Sequence, residues 1–302
     1  MGSGSIDLVR ARTAGLTALA MSAFAANSLL CRAALGRGAV DPLTFTSVRL
    51  VAGALTLALL VTSRGGRPRL GAWPPVLALA GYAVFFSLAY TRIPAAVGAL
   101  ALFGAVQVTM IGRGLVAGER PAPREWLGLA LSLGGLAGLL LPGLASPDPL
   151  GLGLMLVAGM AWGAYSLLGR GAADPLAANA ASFALAAPLA LATQLAALRV
   201  APPHATTPGL LLASVSGALA SGLGYAVWYA ALRGLSATQA AVAQLSVPPL
   251  AALGAVMFLG ESLSARLLVS AAAILGGISL CLSPSGPIAK SPAPRPGFPP
   301  RG

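Results

Sequence analysis

"FLGES" (Phe258–Ser262) and "VAGER" (Val116–Arg120) each close a long apolar run with a Gly-Glu pair. The chain has only seven acidic residues in 302, so two in the same local setting are a pattern to follow. The separation, 261 − 119 = 142, also carries Leu133-Gly134-Gly135 onto Leu275-Gly276-Gly277. Earlier in each half, "NSLLCRAALGRGAVDPL" (27–43) echoes "YSLLGRGAADPL" (165–176), with five fewer residues between Ser-Leu-Leu and Asp-Pro-Leu. Each echo alone is weak in such simple sequence; several in the same order predict one structural unit used twice.

Apolar residues make up 57% of the chain and charged residues 9%, whereas an ordinary soluble domain carries about 25% charged residues. Apolar runs recur with short polar breaks from residue 12 to residue 283, leaving no room for a sizeable aqueous domain. The fold class read from this is an all-α polytopic membrane protein, because a helix satisfies its own backbone in lipid. The net charge of +12 does not point to nucleic acid: the basic residues are scattered through short breaks and form no block. Residues 1–11 read as an N-terminal cytoplasmic segment whose "MGSGS" resembles a cloning scar, and 284–302 as a disordered Pro-rich tail.

A hydrocarbon core of ~30 Å takes about 20 apolar residues as a helix. With Gly, Pro and charge as punctuation, ten spans are expected, at about 12–34, 42–62, 72–91, 94–116, 124–142, 149–170, 176–199, 208–232, 235–259 and 262–283. With the N-terminus in the cytoplasm, thirteen Lys and Arg fall on the cytoplasmic side and five on the other, and Arg49 lies inside span 2. That bias predicts cytoplasmic termini in a bacterial-type inner membrane. Cys31 and Cys281 then lie a membrane apart, too far for a disulfide.

Five spans per unit is an odd number, so the second copy (149–283) enters the membrane inverted relative to the first (12–142), putting Glu119 and Glu261 on opposite faces. Inverted repeats characterise secondary transporters, whose substrate site lies near the midplane between the repeats. The plan resembles the drug/metabolite transporter superfamily, EamA type, over residues 12–283. The Gly-Glu pairs before spans 5 and 10 carry the likeness, with Asp-Pro-Leu opening spans 2 and 7, Arg49 in span 2 and Pro248-Pro249 in span 9. The overall pattern is similar to that of bacterial aromatic amino acid exporters.

Arg49 is the one charge well inside a span, ~10 Å from the outer face at ~1.5 Å per residue. It either grips a substrate carboxylate or fixes span 2 through backbone carbonyls. Asn27, Gln107 and Gln244 are amides in apolar runs, fit either for a solute's polar groups or for bonds between helices. Tyr82 and Phe86 lie on one face of span 3, Trp162 and Tyr165 on one face of span 6, and Tyr225, Trp228 and Tyr229 on one face of span 8. Tyr82, Trp162 and Tyr225 fall away from the bilayer rims, as a cavity wall requires, while Trp73 and Trp126 at span ends fit an interfacial belt. Pro248-Pro249 is expected to break span 9 beside Gln244, and Gly134 with Gly138 to mark close packing of span 5.

No Asp, Glu or His lies mid-span, so a carboxylate proton relay is unsupported, and the single His204 in a loop disfavours an intramembrane Ser-His protease. There is no GxxxxGK[ST] phosphate loop and no metal-ligand spacing, so neither enzyme activity nor a cofactor is expected. The partners expected are a small-molecule substrate and the bilayer. The expected function is secondary transport exporting small amphipathic metabolites, chiefly amino acids including aromatic ones. Drug and sugar-phosphate or nucleotide-sugar carriage are the alternatives.

Overall fold

The computed structural model describes residues 3–66, 71–118, 120–140, 148–170, 172–199 and 202–260, and scattered positions from 265 to 280. The elements are helical: α1 (Ser3–Leu35), α2 (Pro42–Ser63), α3 (Trp73–Tyr90), α4 (Ala95–Val116), α5 (Pro123–Leu140), α6 (Pro149–Gly169) and α7 (Pro175–Ala197). Two further spans follow, α8 (Thr207–Leu232) and α9 (Gln239–Leu259). Among the described residues, eight helices are long and apolar enough to cross a membrane, against the ten spans expected. The two not among them have different reasons. α5 has 18 residues and begins Pro-Arg-Glu-Trp, which shortens its apolar stretch, and most of 262–283, like Glu119 and Glu261, lies outside the described residues. α1 begins nine residues earlier than expected, because nothing between Ser5 and Ala14 stops a helix.

The span starts are written locally. Asp41, Asp148 and Asp174 cap α2, α6 and α7, each accepting from amides two or three residues on, with Pro at the first helical position. Each carboxylate also faces the positive end of its helix. α9 opens with a capping box, Ser236 with Gln239, and Gly260, at φ 73°, closes it in the left-handed region that favours glycine.

α2 packs on α7, α3 and α4 on α6, and α8 and α9 on α1. Exchanging each helix n with n + 5 maps that set of pairings onto itself. Glycine permits the closest approaches: a side chain at Gly159 would strike the Leu102 carbonyl on α4, and one at Gly217 the Arg49 carbonyl on α2. Among the described residues a Cβ at Gly134 meets nothing within 4 Å, while one at Gly277 would strike Gly128 and Ser132 of α5. Leu55, Leu59, Val108, Leu195, Leu211 and Met257 point outward and exposed, the lipid-facing surface of a membrane bundle.

On one face, the α1–α2 and α7–α8 loops clasp each other. Val40 pairs with Ala205, the Asp41 N–H donates to the His204 carbonyl at 2.8 Å and the Thr206 N–H to the Ala39 carbonyl at 2.8 Å. The His204 N–H donates to the Asp41 carboxylate at 2.9 Å. Burial pushes the Asp41 carboxyl up, but hydrogen bonds from Thr44, His204 and Leu43 outweigh it and hold the group below the usual carboxylate range. On the opposite face, Arg170 donates to the Leu235 carbonyl at 3.2 Å and Arg233 to the Ala173 carbonyl at 3.0 Å, joining the α6–α7 and α8–α9 corners.

Candidate functional site

Midway through the bundle, α1, α2, α3, α6 and α8 converge on a polar cluster inside an aromatic shell. Arg49 is 1% exposed. Its Nε donates to Ser221 Oγ at 2.8 Å, and its Nη2 to the phenol oxygens of Tyr225 at 2.5 Å and Tyr82 at 3.1 Å. Its guanidinium carbon lies 5.1 Å from the ring centres of both Tyr82 and Phe86, at cation–π range. The Nη1 atom is buried without a partner. No described carboxylate lies beside it, since the acidic residues all sit at or beyond span ends.

Asn27 completes the cluster from α1. Its amide nitrogen donates to Tyr82 Oη at 3.2 Å, and its oxygen accepts from Ser216 Oγ at 2.7 Å and Ser221 Oγ at 3.4 Å. Both serines belong to a π-helical stretch of α8, Ser216–Leu223. Five residues make ~1.4 turns of an α-helix and so point apart, whereas i→i+5 bonding brings them to one side.

A second polar layer lies toward α9. Leu245 N–H bonds to the Val242 carbonyl, three residues back, as the helix breaks at Leu245–Ser246 before Pro248 and Pro249. The Ala241 carbonyl is thereby released, and the Gln107 amide of α4 donates to it. Gln107 Oε1 is buried without a partner. Gln244 Oε1 accepts from Trp162 Nε1 at 2.7 Å, and its Nε2 lies 3.2 Å from Met110 Sδ.

Between the layers is a cavity of about 10 Å3, lined chiefly by Phe24, Asn27, Tyr82, Phe86, Trp162 and Tyr225. That is room for a single water, so the centre is closed in this arrangement. Trp162 packs against Tyr225 at 4.5 Å and Tyr82 at 5.0 Å between ring centres. Five of the expected site residues, Asn27, Tyr82, Phe86, Trp162 and Tyr225, thus meet on one wall, and Arg49 stands directly behind it. Gln244 reaches that wall through Trp162. Tyr165 and Trp228 do not line the cavity: the Tyr165 hydroxyl donates to Asn179 at 2.7 Å, and Trp228 Nε1 to Ser166 at 3.2 Å. Phe24, Ser28, Leu102 and Phe103 line it without having been anticipated. Phe24 was within reach of the sequence, lying three residues, about one helical turn, before Asn27 on the same face. Trp73 and Trp126 are exposed at span ends.

Comparison with known proteins adds a family. The model of the EamA-like transporter family matches residues 12–141 and again residues 149–283. The uncharacterized protein PA1977 of Pseudomonas aeruginosa is 53% identical over 275 residues, covering 90% of this chain and 95% of its own. A solved crystal structure whose description names no function covers 88% of this chain and 98% of its own, with TM-score 0.73 and 21% identity, a likeness of fold.

Proposed function

The chain belongs to the EamA-like transporter family, and from that premise we propose that it exports small amphipathic metabolites, chiefly amino acids including aromatic ones. Transport proceeds by alternating access around the central cluster, with the two halves exchanging conformations. The observation that carries this reading is the buried Arg49, which among the described residues has no partner for its Nη1 and no carboxylate beside its charge. A buried cation is stabilised by an opposite charge with good geometry, and a carboxylate accepts from a guanidinium bidentately. The wall in front of Arg49 is aromatic, fit for an apolar or flat side chain. In the closed arrangement the Tyr82 and Tyr225 phenols hold the guanidinium, and admission of a carboxylate displaces at least one of them.

Cation export is disfavoured by the same charge. Phosphorylated cargo fits poorly too, because two or more negative charges would meet one arginine.

The test is flux of labelled Phe, Thr and Met from liposomes holding the purified protein, each compared with its carboxamide. The wild type should move the acids at least tenfold faster than the amides, and Arg49→Gln should remove that preference. Equal preference in wild type and Arg49→Gln would overturn the assignment.

A further inference from the structure

The central cavity leaves one polar side chain uncommitted. Asn27, Ser28, Tyr82, Trp162 and Tyr225 are its lining residues with polar groups. Asn27 is bonded to Tyr82, Ser216 and Ser221, and Trp162 Nε1 donates to Gln244. The Tyr225 hydroxyl donates to Tyr82 Oη at 3.1 Å, and both phenol oxygens accept from Arg49. Ser28 is the exception: among the described residues its hydroxyl has no hydrogen-bond partner.

An acceptor is nevertheless close at hand. Other hydroxyls inside the spans close on the carbonyl four residues back, as Thr17 does on Thr13, Thr56 on Ala52 and Ser182 on Ala178. The Phe24 carbonyl holds that place for Ser28, yet Ser28 makes no such bond. Ser47 Oγ is also unpaired, but it is sealed in by its neighbours. Ser28 Oγ is not sealed, and the space open to it is the cavity its residue lines. A buried hydroxyl without a protein partner is unfavourable, and an occupant of the cavity that bonds to it removes that cost.

The surroundings decide which end of a solute it meets. Phe24, Tyr82, Phe86, Trp162 and Tyr225 make the lining aromatic. Ring faces are negative, so they attract an ammonium and disfavour a second carboxylate. An ammonium carries three donors, and a hydroxyl accepts from any of them. The residue before Ser28, Asn27, shares Tyr82 Oη as a partner with Arg49, so Ser28 stands close to the guanidinium. An α-amino acid carries its ammonium and carboxylate on one carbon and needs two such neighbouring contacts. We propose that Ser28 Oγ accepts a hydrogen bond from the α-ammonium of the cargo, among the Phe24 and Trp162 rings, and so selects amino acids over acids that lack the amine. The proposal rests on the amino acid reading above and adds to it the residue that recognises the amine.

Flux of three labelled solutes from liposomes holding the full chain tests it, with leak from empty liposomes subtracted. They are phenylalanine, phenylalaninamide, which lacks the carboxylate, and 3-phenylpropionate, which lacks the ammonium. Wild type should move phenylalanine roughly tenfold or more faster than 3-phenylpropionate, as fits one hydrogen bond to a charged group. Ser28→Ala should bring that ratio to about one and keep the preference for phenylalanine over phenylalaninamide. An unchanged phenylalanine to 3-phenylpropionate ratio in Ser28→Ala would overturn the proposal, as would an equal fall for all three solutes. Equal flux of phenylalanine and phenylalaninamide in wild type marks a different failure, that of the carboxylate reading, and takes the proposal with it. Should Ser28→Ala not fold, Ser28→Cys, with a weakly accepting thiol of similar size, reads the same ratio.

Discussion

Arg49 of α2 and Tyr225 of α8 meet at 2.5 Å, guanidinium nitrogen to phenol oxygen, across 176 residues of sequence. Removing the phenol oxygen takes away this contact and the Tyr225 hydroxyl's bond to Tyr82 Oη at 3.1 Å while leaving the ring in the aromatic wall. Tyr225→Phe should lower thermal stability by about 2 kcal/mol, the usual worth of a hydrogen bond to a charged group. In liposomes it should also change flux several-fold, because the phenol competes with cargo for the same nitrogen. Thermal unfolding in detergent, read with and without substrate, checks both.

Lysine is not a substitute for Arg49. It offers one flexible ammonium, which cannot reach Ser221, Tyr82 and Tyr225 together as the planar fork does. Arg49→Lys should therefore lose at least tenfold in flux while keeping the positive charge. Flux near wild type would show that charge alone suffices.

Gly217 has no room for a side chain, because the Arg49 carbonyl and Ala52 stand against it, and backbone cannot step aside. Gly217→Ala should cost roughly 1–3 kcal/mol as an overpacked contact and separate α2 from α8. Gly81→Ala is the control, since a Cβ there meets nothing within 4 Å. Unfolding midpoints of the two variants should differ clearly, with Gly81→Ala at or above wild type.

The clasp predicts a pH dependence. Asp41 is held below the usual carboxylate range, so its hydrogen bonds to the amides of His204, Leu43 and Thr44 are fully present above that range. They are lost as pH falls through the folded value, below about 4. Spin labels at Gly38→Cys and Thr207→Cys should hold a fixed separation from pH 7 to pH 5 and broaden on further acidification. In Asp41→Ala they should be broad throughout.

How much of this could be read in advance follows from the range of each interaction. Helix starts were legible because Asp-Pro is a local signal: the carboxylate caps amides two or three residues away. The break before Pro248 was legible for the same reason, as proline lacks its donor wherever it stands. The Ser216 and Ser221 contacts were not, because five-residue spacing means divergence in an α-helix and only the π-helical turn reverses that. Nor could the sequence separate Tyr165 from Trp162 on α6. Three residues apart they share a face, yet one hydroxyl finds Asn179 on α7 while the other ring meets the cavity. Long-range partners decide such cases, and a single chain carries no local trace of them.

The clasp between residues 39–41 and 204–206 joins backbone groups with the Asp41 carboxylate and the Thr206 hydroxyl, and none of its residues lines the central cavity. Under the transport mechanism proposed above, the frequency of opening toward that face is set by loops that never touch cargo. Choice of solute belongs to side chains that take no part in the clasp. Selectivity and turnover are therefore separable traits, encoded in different stretches of sequence and open to independent change.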